Sequence, residues 1–270
     1  MKRYILLAIG LVFTAVYLFP LYWMYLTAFK GSSEIFQYPP TFWPTDPQWS
    51  FVDVWQSRGM GRYIWNSLLI AVGVTILVTF MGTGCAYVLS RVRNIWMDMA
   101  LFAILMMQVL PSSLMVTPIF VMFNQVGLLA SPRVAVILAQ TAKMLPLYIV
   151  LCRATFVQVP RELEDAALVD GSSRIGAFFN IMLPLARNGI LVTSVLIFLQ
   201  SFGEYVYARS LIAKNELQVA TVGLQTFMGP DASDWNGIMT YAAIYVTPIL
   251  FVFMLLQRRI VSGLTAGALK

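Results

Sequence analysis

The chain has 270 residues, 59% of them hydrophobic and 11% charged, with a mean hydropathy of +0.77, far above what a water-soluble domain carries. Its net charge of +6 is spread singly over short loops and forms no patch, which argues against a nucleic-acid partner. Histidine is absent, and neither a Walker A sequence nor a Gly-x-Ser-x-Gly elbow occurs, so nothing marks the chain as an ATP hydrolase or another enzyme.

A membrane-spanning helix needs about 20 mostly apolar residues. Six runs qualify, at 4–29, 65–90, 99–123, 134–152, 189–212 and 235–257, and they leave no room for a second domain within 1–270. Continuous apolar runs also exclude a barrel, whose strands alternate over about ten residues. The first run follows Met1, Lys2 and Arg3 and is too long for a signal peptide, with no cleavage site after it; it reads as a retained helix kinked at Pro20. The segment 30–63 is rich in proline and carries Phe36, Tyr38, Phe42, Trp43, Trp49, Phe51 and Trp55, a composition that suits an interfacial aromatic belt or the docking of an external partner.

In the second span Gly82, Ala86 and Ser90 recur every four residues, a stripe that admits close helix packing. Cys85 and Cys152 lie within or at the edge of spans and read as buried thiols, giving no disulfide and no metal site. Polar groups inside a membrane need a reason. They are Gln108, Gln140 and Gln200, with Lys143 in the fourth span and Glu204 in the fifth. Lys143 and Glu204 either neutralise each other or snorkel while the amides bond across helices, or these groups line a solute path with aromatic faces such as Tyr205 or Tyr207.

Six spans place both termini on one side. With that side cytoplasmic, the inner segments hold Lys2, Arg3, Arg91, Arg93, Arg153, Arg161, Arg174, Arg187, Arg258, Arg259 and Lys270, against Lys30, Arg58, Arg62, Arg133, Arg209 and Lys214 outside. The excess inside favours this orientation. The stretch 213–234 then faces outward, as a plain surface loop or a contact for an external protein.

This topology makes 153–188 the longest cytoplasmic segment. Pro160 suits a first helical turn, Arg161 and Asp165 are spaced to pair, Leu163, Ala166 and Ala167 share a face, and Gly171 suits a left-handed helix end. Ser172 or Ser173 caps a second helix, in which Ile175, Phe178, Phe179 and Met182 make an apolar stripe. Pro184 marks its end. A stripe of that size normally has a partner, although both helices lying on the membrane surface or folding back against the chain's own spans is an equal reading from periodicity alone.

The segment resembles the EAA loop of ATP-binding-cassette importer permeases: Asp165-Ala166-Ala167, three residues, Gly171, nine residues, then Ile181-Met182-Leu183-Pro184. Aspartate stands where that family usually has glutamate, with Glu164 just before it. "FKGSSEIFQYPP", "WNSLLIA", "TVGLQTF", "DWNGIMTYAAIYVTPILFVF" and the tail "QRRIVSGLTAGALK" are similar to the maltose-type carbohydrate permeases, whereas "SFGEYVYA" departs from their fifth span at Phe202 and Gly203. The resemblance implies an all-α membrane protein with six transmembrane helices and a cytoplasmic helix-turn-helix, the type I importer permease fold. It implies half of a translocation pore in a bacterial or archaeal plasma membrane, beside a second, usually different, permease. Two ATPase subunits hold ATP and magnesium, this chain holds no cofactor, and an extracytoplasmic binding protein delivers a sugar or sugar-like solute. Glu164, Asp165, Ala166, Ala167, Gly171, Ile181, Leu183 and Pro184 are the implied ATPase-coupling residues. The competing class is an ion-coupled secondary carrier, which inverted repeats and broken midplane helices would favour; no persuasive repeat is present. An intramembrane enzyme is disfavoured by the lack of histidine and of paired acids within the spans.

Overall fold

The computed structural model describes residues 2–56, 59–92, 94–228 and 234–265. Arg58, Arg93, Lys270 and the end of the tail lie outside the described residues, as do 229–233 of the outer stretch, and for Arg258 and Arg259 the backbone alone is described. No strand forms among the described residues. The principal helices are α1 (Lys2–Ala28), α2 (Met60–Arg91), α3 (Ile95–Met107), α4 (Ser112–Gln125), α5 (Pro132–Gln158), α6 (Arg161–Val169), α7 (Arg174–Phe202), α8 (Val206–Leu211) and α9 (Trp235–Thr265). Among the described residues α1, α2, α5, α7 and α9 are long and apolar enough to cross a bilayer, and α3 with α4 makes a sixth crossing if the pair is one broken span.

The chain divides into two compact units, Met1–Ile64 with Val222–Phe251, and Trp65–Thr221 with Val252–Lys270. In the first, α1 runs through Pro20 without interruption. The last carbonyls of a helix have no partner within it; here Asn236 Nδ2 donates to the Ala28 and Lys30 carbonyls at 3.1 and 2.6 Å, and Thr240 to Ala28 at 3.2 Å. These bonds fasten α1 to the start of α9. The proline-rich segment folds around buried Lys30, which donates to the Thr41 carbonyl at 2.5 Å and lies over the Trp23 ring. Phe29 meets Trp49 and Phe51, Trp23 meets Phe42, and Tyr38, Trp43 and Trp49 remain largely exposed.

In the second unit α2 packs on α5 through the small-residue stripe. A side chain at Gly82 would run into Tyr148 and Leu145, and Ala86 and Ser90 are buried. Thr83 and the Tyr148 hydroxyl bond at 2.8 Å, and Thr79 bonds Ser194 of α7 at 2.8 Å. Cys152 is buried, but Cys85 is exposed, contrary to its expected burial.

Two spans differ from the continuous runs expected. The run 99–123 is divided into α3 and α4, which meet at 93°. Pro111 has no N–H and holds its neighbour out of helical geometry, and it sits extended at the start of α4. The opposite happens at Pro184, which does not end a helix. A π-turn over Phe178–Met182, with the Leu183 N–H bonding the Phe178 carbonyl, widens the backbone, and α geometry resumes with Pro184 at its first turn, where a missing N–H costs little. The second arm of the expected helix-turn-helix is therefore the beginning of span five. That span stops at Phe202, and Gly203–Tyr205 separate it from α8.

Candidate functional site: the elbow and the intramembrane cavity

The elbow is made by its turn. The Ser172 N–H bonds the Ala167 carbonyl at 2.9 Å and the Gly171 N–H bonds Leu168 at 3.1 Å, the double bond of a Schellman ending. Gly171 has φ of +89° with open space where a Cβ would point. Its requirement for glycine comes from backbone conformation, not from crowding. Ser173, not Ser172, caps the next helix, its Oγ accepting from the Gly176 N–H at 3.0 Å.

One face of α6 is clamped to the end of α2. Glu164 is buried; its carboxylate sits 2.7 Å from Arg91 Nε and accepts from the Tyr87 hydroxyl at 2.5 Å. The arginine contact is ionic, its Nε–H not aligned as a hydrogen bond. Arg91 also reaches the Val159 carbonyl, and Arg161 donates to the Ser90 and Arg91 carbonyls at 3.3 and 2.9 Å. A cation on the last carbonyls of a helix is favourable twice, through hydrogen bonds and through the helix dipole. The expected Arg161–Asp165 pair does not form, because those α2 carbonyls take the guanidinium. Among the described residues Arg91–Glu164 is the one ion pair.

The remaining elbow residues divide by exposure. Ala167 is buried, whereas Leu163 and Ala166 are exposed, so the three do not share one buried face. The apolar stripe divides too: Met182 is fully buried and the Phe178 ring packs tilted against Tyr87 with centroids 4.8 Å apart, while Ile175 and Phe179 face outward. Asp165, Glu162 and Pro184 are exposed; Ile181 and Leu183 are half-buried. An open groove of about 560 Å³ runs between the end of α2 and the start of α7, lined by Val88, Arg91, Arg174, Ile175, Phe178 and Phe179 among others. Tyr87 and Arg91 were not singled out as site residues in the sequence; their i, i+4 spacing at the C-terminal end of α2 was the available signal.

The intramembrane polar groups gather at a second place. Gln108, Lys143, Gln200 and Glu204 line one cavity of about 240 Å³, with Ser112 and Tyr207. Gln140 lies beside it, donating to Glu204 at 3.2 Å and accepting from Ser201. Tyr205 does not line the cavity; Tyr207, two residues on, does. Lys143 and Glu204 do not form the expected ion pair. Glu204 instead accepts from the Tyr207 N–H at 3.0 Å and the Ala208 N–H at 3.4 Å, capping α8. Lys143 Nζ donates to the Leu110 carbonyl at 2.9 Å, and Gln108 Nε2 donates to the Lys143 carbonyl at 2.8 Å. These bonds bracket the break between α3 and α4. A lysine in mid-span costs roughly 2.5–3.5 kcal/mol on insertion scales, which one carbonyl contact offsets incompletely.

The stretch 212–221 is tied down within the second unit. Buried Asn66 donates to the Glu216 and Gln218 carbonyls and is itself held by Arg133 at 2.7 Å, and the Ala220 N–H donates to Ser67 Oγ. Asn66 and Ser67 belong to the "WNSLLIA" piece.

A multi-pass helical protein with a capped polar elbow and an intramembrane polar cavity is built as a transport permease. Residues 78–266 match the family described as binding-protein-dependent transport system inner membrane component, and the chain belongs to that family. It is 30% identical to the sulfoquinovosyl glycerol transport system permease of Agrobacterium fabrum over 94% of this chain and 89% of that protein. It is 31% identical to a diacetylchitobiose uptake system permease of Streptomyces coelicolor over 98% and 94%. Its fold matches a bacterial transporter importing the acidic polysaccharide alginate, with a TM-score of 0.75 at 17% identity, covering 95% of this chain and 96% of that one. The chain is thus a permease component and not an enzyme, and the secondary-carrier alternative has no support.

Proposed function

We propose that this chain forms half of the translocation pore of an ATP-driven importer for a sugar or sugar-like solute, with both termini cytoplasmic in a bacterial or archaeal plasma membrane. The relatives named above, and the trehalose/maltose permease of Thermococcus litoralis at 29% identity, support the solute class. A second, non-identical permease completes the pore, two ATPase subunits hold ATP and magnesium, and an extracytoplasmic binding protein delivers the solute. A solved alginate transporter of the same fold is complexed with its periplasmic protein.

The observation that carries this reading is the division of labour at the elbow. Glu164 is spent on Arg91 and Tyr87, which leaves the exposed Asp165 and Glu162 of α6, with the exposed Ile175 and Phe179 of α7, to meet the ATPase. Push on that face moves α2 through the Glu164 clamp and span five through the unbroken α7. A stiff element with two rigid connections transmits a rigid-body displacement; a flexible loop does not.

The two carboxylates therefore fail differently when altered. In the complex purified through this chain, Asp165→Asn reduces the amount of ATPase retained, because a charge pair across that interface is lost. Glu164→Gln retains the ATPase and its ATP turnover but transports poorly. Equal ATPase retention in wild type and Asp165→Asn, or full transport by Glu164→Gln, would sink the assignment. Absence of any nucleotide-binding subunit, or uptake without ATP, would sink the importer reading itself.

A further inference from the structure

Lys143 is a cation in the middle of α5 with three N–H donors. Its described acceptor is one backbone carbonyl, that of Leu110 at 2.9 Å. The carboxylate in the same cavity does not pair with it, for Glu204 directs its oxygens to the Tyr207 and Ala208 N–H groups and to Gln140. A fixed positive charge with donors to spare, facing a hollow, has the chemistry of an anion site. Gln200, Ser112 and Tyr207 line the same hollow and supply neutral donors and acceptors suited to hydroxyl groups. At about 240 Å³ the hollow is below the roughly 300 Å³ at which sites enclose a drug-sized ligand. It therefore takes one charged sugar unit at a time.

Resting on the importer reading above, we infer that Lys143 selects an anionic sugar, one bearing a carboxylate or a sulfonate, as it passes α5. The anion meets the ammonium while ring hydroxyls meet Gln200, Ser112 and Tyr207. A neutral sugar of the same size satisfies the second set and leaves the first unanswered. The bond to Leu110 holds the ammonium at the cavity wall, so the site is formed before the solute arrives.

The test uses the complete transporter, this chain with its partner permease and ATPase, and equilibrium binding of radiolabelled glucuronate, 6-deoxy-6-sulfoglucose and glucose. At least one of the two anions binds tenfold or more tightly than glucose, and comparing the two identifies carboxylate or sulfonate. Lys143→Gln keeps an N–H for the Leu110 carbonyl but removes the charge, and it brings the anions to within about twofold of glucose while the melting temperature holds. Lys143→Arg retains the preference. Equal binding of all three sugars by wild type, no binding of any, or a preference that survives Lys143→Gln overturns the inference. If Lys143→Gln fails to assemble, wild type and Lys143→Arg decide alone: loss of the preference in Lys143→Arg, with assembly intact, counts against it. Retention of the ATPase is scored on the same preparation, so a complex that holds its ATPase yet treats the three sugars alike refutes the anion site and leaves the importer reading standing.

Discussion

Pro111 and Pro184 both interrupt apolar runs, yet the first divides a span at 93° and the second leaves one continuous. The difference lies in what receives the carbonyls that a proline leaves without donors. At the break before Pro111 a side chain of α5 does so for one of them: Lys143 Nζ donates to the Leu110 carbonyl, while Gln108 Nε2 donates to the Lys143 carbonyl within α5. At Pro184 the backbone solves the problem itself with a π-turn. The two regions then differ in how their polar groups are used. The break recruits polar side chains into the membrane and leaves a cation with donors to spare, whereas the elbow uses its polar groups on its own joints. Substitutions at the elbow should cost stability and coupling, and those at the break should cost little stability and change solute choice.

The strongest break of that contrast is at Glu164. Removing one partner of a buried ion pair costs about 3–5 kcal/mol, while replacing both by apolar groups of similar size is often neutral. Glu164→Leu should therefore lower thermal stability sharply, and Glu164→Leu with Arg91→Met should recover most of the loss. Transport should not return with it, since the polar joint to α2 is gone. A double variant that restores uptake along with stability would show that the joint is packing alone.

Gly171 comes next. A β-branched residue at φ of +89° is strained by about 1–3 kcal/mol, and asparagine tolerates that region better than valine. Gly171→Val should lose ATPase retention and uptake, with Gly171→Asn intermediate. At the break, Gln108→Ala removes one hydrogen bond, worth about 1 kcal/mol, and should shift the melting temperature less than either elbow variant. A larger shift there would reverse the ranking of the two regions.

The spans, the turn at Gly171 and the residues of the elbow were legible in the sequence because each has a local signature: apolar length, a glycine after a short amphipathic helix, a gapped motif. The joints were not. Glu164 and Asp165 are adjacent acids with the same chemistry, and only α2, more than seventy residues earlier, decides that one is buried and the other exposed. Pro184 read as a stop because a π-turn has no sequence signal comparable to a proline's. The Lys143–Glu204 pair failed for the same reason: each found a backbone partner made available by a broken helix, at Leu110 and at the start of α8. Of the polar residues grouped from the sequence, Gln108, Lys143, Gln200 and Glu204 line one cavity, while Gln140 lies beside it and Tyr205 outside it; intramembrane polar residues from different spans collect where lipid is absent.

The smallest effect expected lies in the other unit, at a carboxylate outside the spans whose Oε1 is held by two donors while its Oε2 has no hydrogen-bond partner among the described residues. Burial works to raise the Glu34 pKa, yet the Thr45 N–H at 3.0 Å, the Thr41 hydroxyl at 2.8 Å and nearby Lys30 outweigh it and hold the group below the usual carboxylate range. A depressed folded pKa contributes stability that is present above the ordinary value, about 4.3 for glutamate, and lost as pH falls through the folded value. Wild type should therefore melt slightly higher than Glu34→Gln at neutral pH, with the gap closing as the pH drops below about 4. The Thr41 and Thr45 donors remain usable by the amide, which keeps the effect small. A gap that stays constant down to pH 3 would mean that shape, and not charge, holds the proline-rich segment at Glu34.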